Sequence, residues 1–330
     1  MTTDIHILFL DPLEKLSLKK DSTLQLALTL KERGSQVYLL FEEDFFFQNK
    51  GQGRLKVYDF EGQFEEDGCY LKSFLQKESH TLKITPEMIL HMRIDPPLDS
   101  RYLRYLWMLR ALKEKFGVRV INDPAAIAAH NEKMVCYEGE DSVATYVGSS
   151  QESFLSFYRE LKEQSDYSGL ILKPLDLFQG IGVEKIDSTI EEEEVLGLFK
   201  KKLQTYEGPV VAQPFLKAVY SGEIRALYFN GKEIGSIIKT PPEGQFLANI
   251  AQGAKFEAVT LEEEVAKKCR EMSLEFAQKG VPWIAYDILG SSIQEANLTC
   301  PGLLVEVSKA HKRNLAETIV VELEEYLKKL

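Results

Sequence analysis

Cysteine, tryptophan and histidine are scarce in this chain of 330 residues, which contains four, two and five of them. The cysteines lie far apart, with no CxxC pair and no zinc-like spacing, which argues against a disulfide framework and a cysteine-bound metal. No stretch approaches the ~20 apolar residues that a membrane-spanning helix needs, and the start does not resemble a secretory signal. These absences predict free thiols in a reducing compartment, and therefore a cytoplasmic protein with no membrane partner.

Positive charge is also in deficit, since 40 Lys and Arg face 51 Asp and Glu. The formal net charge of −11 and the isoelectric point of about 5.2 argue against broad attraction to nucleic acid, so none is expected as a partner. Any phosphate must therefore be bound by a local basic pocket. The hydrophobic content of 44% is ordinary for a globular protein, and the length suggests two or three domains.

The N-terminal stretch has the alternation of a parallel α/β unit. Residues 5–10 predict a strand, residues 22–33 a helix capped by Ser22, and residues 37–41 a second strand. Lys20 lies just after the first strand, at the edge where such sheets bind ligands. A lysine exposed to solvent is the alternative explanation.

Arg93 ends the apolar stretch 88–93, just before the sequence Asp-Pro-Pro-Leu-Asp. An arginine held beside a rigid loop can bond two oxygens of a carboxylate or phosphate, although a simple surface arginine fits the same pattern. A further strand at 118–121 precedes Asn-Asp-Pro, which predicts that the first domain covers residues 1–123.

The middle of the chain contains a lysine and two glycines that suggest phosphate binding. Lys173 lies near the end of the apolar strand 169–174, where burial of its charge requires an anion. Gly180 and Gly182 follow in a turn whose N–H groups can cradle phosphate, although an ordinary hairpin explains two glycines as well. The polar stretch 188–204 predicts a helix.

Proline and Asn-Gly pairs define the next elements. Pro214 interrupts the apolar stretch 210–216 and predicts an edge strand or a hinge. Asn-Gly at 230–231 predicts a hairpin that places Arg225 on one face of a central strand. The Pro- and Gly-bearing stretch 240–252 is typical of a lid or binding loop, and one helix is expected over 312–330.

A late hairpin, with strands at 283–289 and 293–298, carries three side chains with oxygen donors: Asp287, Glu295 and Asn297. Residues two apart on a strand share a face, so Glu295 and Asn297 point the same way and Asp287 can meet them from the partner strand. Oxygen donors of this kind suit Mg²⁺, which takes further ligands from phosphate and water. The alternative is a strand that simply exposes its polar face to water.

Several of these segments, in this order, resemble the bacterial glutathione synthetase family over nearly the whole chain. The matching stretches are LDPLEKLSLKKDST, MRIDPPLD, NEK at 131–133, LKPLD, AQPFL, Arg225, ANIAQGA, AYDILG and EANLTCP. The resemblance implies an ATP-grasp fold, which is α/β with an α+β arrangement in the ATP-grasp part. It divides the chain into an N-terminal α/β domain (1–123), a lid domain (124–213) and a C-terminal catalytic domain (214–330).

The resemblance also implies roles for individual residues. Nucleotide binding is implied for Lys133, Lys173, Gly180, Gly182, Gln213, Phe215 and Leu216. Contact with the reacting acyl group is implied for Arg225, substrate binding for Lys20, Arg93 and Asn249, and Mg²⁺ binding, with Mn²⁺ as an alternative, for Asp287, Glu295 and Asn297. The expected partners are ATP, a small acid and a small amine, and the expected assembly is a homo-oligomer.

The reaction that the resemblance implies is the ATP-dependent joining of γ-glutamylcysteine to glycine through an acyl phosphate, with ADP and phosphate as the other products. Two stretches depart from the family. The family's Asp-Gly-Met-Gly-Gly loop is DLFQG at 176–180, and its substrate-loop arginine is Leu247. Because lost glycines limit how closely backbone approaches phosphate, two alternatives stay open: a ligase with the same mechanism but another acid or amine, and a nucleotide-binding protein without catalysis.

Overall fold

Three β-sheets organise the computed structural model, which describes residues 4–139 and 142–329. The first sheet has six strands in the order β4-β3-β2-β1-β5-β6. They are β1 (Ile5–Leu10), β2 (Gln36–Leu40), β3 (Arg54–Phe64), β4 (Leu71–Lys83), β5 (Met88–Arg93) and β6 (Arg119–Ile121), with helices α1 (Ser22–Glu32) and α2 (Ser100–Phe116) in the same part of the chain. Short 3-10 turns occupy Leu13–Lys15, Leu18–Lys20, Glu42–Asp44, Lys217–Ser221 and Ile250–Gln252.

The four strands β2, β1, β5 and β6 pair in parallel, as the strand–helix–strand pattern predicts. The antiparallel β3–β4 hairpin extends this sheet beyond β2 and was not predicted. The helix cap is also a correction, because the side chain of Asp21, and not Ser22, accepts the N–H groups of Thr23 and Leu24 at 2.8 Å.

The second sheet has four strands in the order β7-β10-β8-β9. Its part of the chain runs α3 (Pro124–Ala129), α4 (Met134–Tyr137), β7 (Tyr146–Gly148), α5 (Gln151–Lys162), β8 (Gly169–Pro174), β9 (Glu184–Asp187), α6 (Glu192–Tyr206) and β10 (Val210–Pro214). The prediction of an edge strand at β10 is wrong, since β10 pairs with both β7 and β8. Pro214 is tolerated because the pairing with β7 ends at Ala212.

The third sheet has five strands in the order β13-β12-β11-β14-β15. Its elements are β11 (Glu223–Phe229), β12 (Lys232–Thr240), β13 (Lys255–Ala258), α7 (Glu263–Gln278), β14 (Trp283–Leu289), β15 (Ser292–Asn297), α8 (Leu304–Ala310) and α9 (Ala316–Leu327). Both predicted hairpins are present, and β11 is the central strand. The predicted C-terminal helix is confirmed as α9, which begins four residues later than predicted, whereas α8 was not predicted; residue 330, the predicted end, lies outside the described residues.

A shared core joins the first and third sheets. One apolar cluster contains Leu26 and Leu30 of α1 together with Phe229 of β11 and Ile319 of α9. At the same junction, the buried Asn122 amide donates to the carbonyls of Trp283 and Leu298, each at 2.8 Å. Among the described residues, no helix has the length and apolar content to cross a membrane.

Candidate functional site

The β14–β15 hairpin forms the centre of the site. Asp287 pairs directly with Glu295 across the two strands, and the register shifts immediately after Asp287. The Asn297 Nδ2 atom donates to the Asp287 carboxylate at 3.2 Å and to the Ala285 carbonyl at 3.1 Å. The structure therefore brings the three predicted oxygen donors to one face of this hairpin.

Two cations surround the buried Asp287 carboxylate. Arg225 lies opposite Asp287 on β11 and binds it with two bonds, from Nε at 3.0 Å and from Nη2 at 2.6 Å. Lys239 of β12 donates to the same carboxylate at 3.1 Å. Burial alone raises the pKa of the Asp287 carboxyl, but the charges of Arg225 and Lys239 outweigh it and lower the pKa well below its usual range. Asp287 is therefore ionised at neutral pH.

Lys133 links this hairpin to the second sheet. Its Nζ atom donates to Glu295 at 2.9 Å and to the Leu177 carbonyl at 2.7 Å, and the side chain is buried. The preceding Asn131 side chain accepts the N–H groups of Lys133 and Met134 and fixes the turn. The Lys133 ammonium and the Glu295 carboxylate thus lie together here. Lys173 adds a second ammonium group to them.

Lys173 lies on β8, half-buried, with its Nζ 5.5 Å from the centre of the Tyr137 ring. Burial, and then the like charge of Lys133, lower the pKa of the Lys173 ammonium to about 8, while Glu295 opposes the shift. A lysine in these surroundings gains stability when an anion approaches, because the anion offsets both the burial and the repulsion.

The loop 175–182 covers Lys133. Gly180 and Gly182 have φ values of +73° and +75°, which favour glycine. The Gln179 carbonyl accepts the Asn249 amide at 2.8 Å, so this loop contacts the stretch predicted as a lid. Leu247 lies in the same place, since a Cβ atom at Gly180 would be 3.4 Å from it. The side chain that the predicted lid presents to Gly180 is therefore apolar.

The predicted hinge connects the second and third sheets. The Gln213 amide donates to the Thr145 hydroxyl at 2.9 Å, and the Phe215 N–H donates to the Gly169 carbonyl at 2.8 Å. The Lys185 ammonium lies 4.6 Å from the centre of the Phe215 ring. Leu216 immediately precedes the 3-10 turn. Phe215, with Tyr220 and Phe246 against its ring, forms an aromatic corner where β10 ends.

Arg93 makes its hydrogen bonds outside the Asp287 cluster. Arg93 is buried, donates to the Thr23 hydroxyl at 3.0 Å and the Pro301 carbonyl at 2.9 Å, and stacks 4.2 Å from the Trp283 ring centre. Lys20 is exposed at the end of its 3-10 turn. The guanidinium of Arg93 thus binds protein groups at the junction of the first and third sheets.

Three charged residues of this region were not predicted: Lys239, Glu223 and Glu132. Lys239 forms an ion pair with Glu223, its direct partner across the β11–β12 hairpin. An ideal hairpin around Asn-Gly would pair Glu223 with residue 238, but a bulge at 227–228 shifts the register by one. A bulge of this kind has no clear mark in the sequence, so hairpin spacing alone could not have found the pair.

The donor set fits a hard divalent cation. Two carboxylates and an amide supply oxygen atoms, and each carboxylate is held by cations that a metal ion can replace. Among residues 4–139 and 142–329, no group of three or more His, Cys, Asp or Glu forms a self-sufficient metal cluster. A metal bound here therefore needs ligands from phosphate and water as well.

Two family models cover most of the chain. Prokaryotic glutathione synthetase, N-terminal domain, matches residues 5–128, and prokaryotic glutathione synthetase, ATP-grasp domain, matches residues 132–312. The glutathione synthetase of Coxiella burnetii is 28% identical and covers 96% of this chain and 94% of its own. That of Parasynechococcus marenigrum is 32% identical over 71% of this chain and 74% of its own.

The fold has solved counterparts. D-cycloserine synthetase DcsG superposes with a TM-score of 0.63 at 14% identity, covering 97% of this chain and 99% of its own, a likeness that concerns the fold alone. Fold and family matches together define an ATP-grasp enzyme, an ATP-dependent ligase that forms C–N bonds with ATP and a divalent metal. Within that class, the chain belongs to the prokaryotic glutathione synthetase family.

Proposed function

We propose that this ligase joins γ-glutamylcysteine to glycine, with conversion of ATP to ADP and phosphate. The proposal is supported by the family match and by the names of the relatives. The single observation that carries it is the convergence of Lys133, Glu295, Asp287 and Arg225, which come from separate parts of the chain, at one face of the β14–β15 hairpin.

Lys133 and Lys173 bind the nucleotide phosphates in this proposal. Both are cations with restricted access to water, and each gains from an approaching anion. Gly180 and Gly182 let the covering loop approach the phosphates, and Gln213, Phe215 and Leu216 receive the base at the aromatic corner. The Leu177 carbonyl, which now accepts from Lys133, moves aside when phosphate takes its place.

Asp287, Glu295 and Asn297 would hold Mg²⁺, and Mn²⁺ fits the same oxygen donors. When bound, the metal neutralises phosphate charge and orients the transferred group. Arg225 then has a second role: it holds the acyl group beside the cluster. Its paired bonds to Asp287 fix the plane of the guanidinium before substrate arrives.

The chemistry has two steps. The substrate carboxylate attacks the γ-phosphorus of ATP to give an acyl phosphate, and the amine then displaces phosphate to form the amide. The first step brings two anions together and the second releases an anion, so Lys133, Lys173 and Arg225 contribute mainly by offsetting charge and by positioning. Lys20 and Asn249 receive the acid on the substrate side, and Arg93 shapes that side through Pro301.

An amine panel with phosphate release as the readout tests the substrate assignment. With γ-glutamylcysteine and ATP, glycine should support turnover above all other amines. A ligase for another acid or amine is the second candidate, and Leu247 beside Gly180 favours it, because an apolar contact replaces the family's arginine. Failure of glycine together with turnover of a bulkier or apolar amine would establish that second candidate.

We also propose the division into residues 1–123, 124–213 and 214–330. The three sheets support it, because β6 of the first sheet ends at 121, β10 of the second ends at 214 and β11 of the third begins at 223. Limited proteolysis, with cleavage near 124 and 214, tests the boundaries. Homo-oligomer formation is proposed too, with light scattering as its test, and a reducing cytoplasm is supported by four unpaired cysteines.

A further inference from the structure

Glu306 is a buried carboxylate for which the proposed reaction has given no role. It lies in the first turn of α8, is 5% exposed, and is flanked by the buried Val305 and Val307. Its Oε2 atom is buried and has no hydrogen-bond partner among residues 4–139 and 142–329. A carboxylate oxygen removed from water in this way costs free energy unless a donor satisfies it.

Charged and titratable groups from three parts of the molecule act electrostatically on Glu306. They are Lys20 and Asp21 just before α1, Tyr70 in the turn between β3 and β4, and Arg225 at the centre of the third sheet. Helix α8 is fixed against α1 by the Leu304 N–H, which donates to the Ser22 hydroxyl at 3.0 Å. Glu306 is therefore on a helix fixed against α1 and within electrostatic reach of both Lys20 and the arginine assigned to the acyl group.

Burial raises the pKa of the Glu306 carboxyl, and Asp21 raises it further, while Lys20 and Arg225 oppose the shift. A carboxylate with a raised pKa accepts protons more readily than an ordinary surface glutamate. The ligation requires such a group, because an amine arrives mainly as ammonium at neutral pH and attacks only when it is neutral.

We propose that Glu306 binds the ammonium group of the amine substrate through Oε2 and removes its proton before attack on the acyl phosphate. This inference rests on the proposed function. The proton passes from nitrogen to Oε2, and the freed lone pair forms the C–N bond at the acyl carbon. The C–O bond to phosphate breaks with its electron pair, and the second proton of the nitrogen leaves with the departing phosphate. Glu306 returns its proton to solvent.

Hydroxylamine provides the test, because it is uncharged at neutral pH and needs neither an ammonium site nor a base. Glu306→Gln should lower kcat/KM for glycine by on the order of 100-fold. Hydroxamate formation from γ-glutamylcysteine, ATP and hydroxylamine should stay within about threefold of wild type by the same argument. Glu306→Asp should recover part of the glycine activity.

The matched control is Glu65→Gln. Glu65 lies on the neighbouring hairpin, and its exposed carboxylate pairs with Lys19. It should leave both rates unchanged. Thermal unfolding of each variant distinguishes local effects from misfolding. In wild type, kcat/KM for glycine falls on the acid side as Glu306 becomes protonated, whereas in Glu306→Gln it should rise with pH over the whole range in which free glycine is still ammonium.

Three results would overturn the assignment. Unchanged glycine kinetics in Glu306→Gln would show that the residue does not act on the amine. Equal losses with glycine and hydroxylamine would show a purely structural role. If wild-type protein forms no hydroxamate with γ-glutamylcysteine, the proposed substrate is wrong and the amine assignment falls with it, a result distinct from the first two because it appears without any mutation.

Discussion

Two carboxylates of the ATP-grasp part, the buried Asp287 and the half-buried Glu132, have opposite surroundings. Asp287 is bound by Arg225 and Lys239, which lower its pKa. Glu132 is bound by neutral donors, the N–H groups of Leu298 and Thr299 at 2.6 and 2.8 Å and the Thr299 hydroxyl at 2.9 Å. Burial, and then the charge of Glu295, raise the pKa of Glu132.

We expect this difference to separate a reactive region from a structural one. A metal ion can replace the cations that now bind Asp287, and those cations can then bind an incoming anion. Both changes are possible because ion pairs re-form readily between mobile side chains. The donors around Glu132 are mostly backbone N–H groups, which cannot move away from the carboxylate unless the backbone at 298–299 changes its conformation. Buried charge with charged partners therefore indicates chemistry here, and buried charge with backbone partners indicates support.

The largest effect is expected from Glu295→Ala. Removing one of the two carboxylates of the proposed metal site should lower kcat by on the order of 1,000-fold, because metal and phosphate charge lose a direct ligand. The fold should persist, since Glu295 is on the end strand of its sheet and partly exposed. Phosphate release measures the rate, and circular dichroism checks the fold.

Gln294→Ala, at the neighbouring position on β15, is the control for Glu295→Ala. Its side chain bonds only to the Ser292 hydroxyl among the described residues, so turnover should stay within about threefold of wild type. Near-normal turnover in Glu295→Ala would remove the metal assignment from the β14–β15 hairpin.

Asp287→Asn should produce the next largest effect, on stability. The substitution leaves Arg225 and Lys239 buried with too little opposing charge, which should cost about 3 kcal/mol of unfolding free energy at neutral pH. Asp187→Asn, which breaks an exposed ion pair with Lys185, should cost less than about 1 kcal/mol. Urea unfolding measures both, and equal costs would contradict the distinction between the two kinds of ion pair.

Much of the fold follows from hydrophobic periodicity in the sequence. Strand β1 and strand β5 have near-continuous apolar stretches, and their bounds agree with the prediction. The β3–β4 hairpin was missed because β4 is largely exposed, so its sequence has no regular apolar alternation. Such a strand is stabilised by pairing with β3 and not by a buried face of its own.

Local spacing predicted which side chains meet within one hairpin, but not which charges meet across the chain. Asp287, Glu295 and Asn297 follow from period-two alternation. The contact of Lys133 with Glu295, 162 positions apart, follows from no local pattern and was implied only by the family resemblance. Lys239 depends on a bulge that the sequence does not mark.

The histidine pair in the first sheet extends the comparison to buried groups without charge. His6 Nδ1 lies 3.0 Å from His91 Nε2, on adjacent strands and buried. Burial lowers the pKa of His6 from 6.5 to about 4, and burial lowers that of His91 as well. Below pH 6.5 the unfolded chain therefore binds more protons, so stability is full above 6.5 and is lost as pH falls towards 4.

Between pH 7 and 5, His6 alone should remove about 2 kcal/mol of unfolding free energy. Glu132 acts in the opposite direction, because a raised carboxyl pKa favours folding at lower pH, and this contribution is common to wild type and His6→Gln. Urea unfolding at the two pH values should show a smaller loss in His6→Gln than in wild type. The exposed His80→Gln should retain the wild-type loss; a similar loss in all three proteins would contradict the role of the pair.

The smallest effect expected comes from Thr299→Val, which tests whether Glu132 is purely structural. The substitution keeps the branched shape of a buried side chain and removes one of three donors to the Glu132 carboxylate, so it should cost about 1 kcal/mol of unfolding free energy. Turnover should stay within about threefold of wild type, because both backbone donors remain. Thr205→Val on the exposed face of α6 is the control for the chemical change. A loss of turnover approaching that of Glu295→Ala, without a matching loss of stability, would place Glu132 with the reactive carboxylates and end the distinction from Asp287.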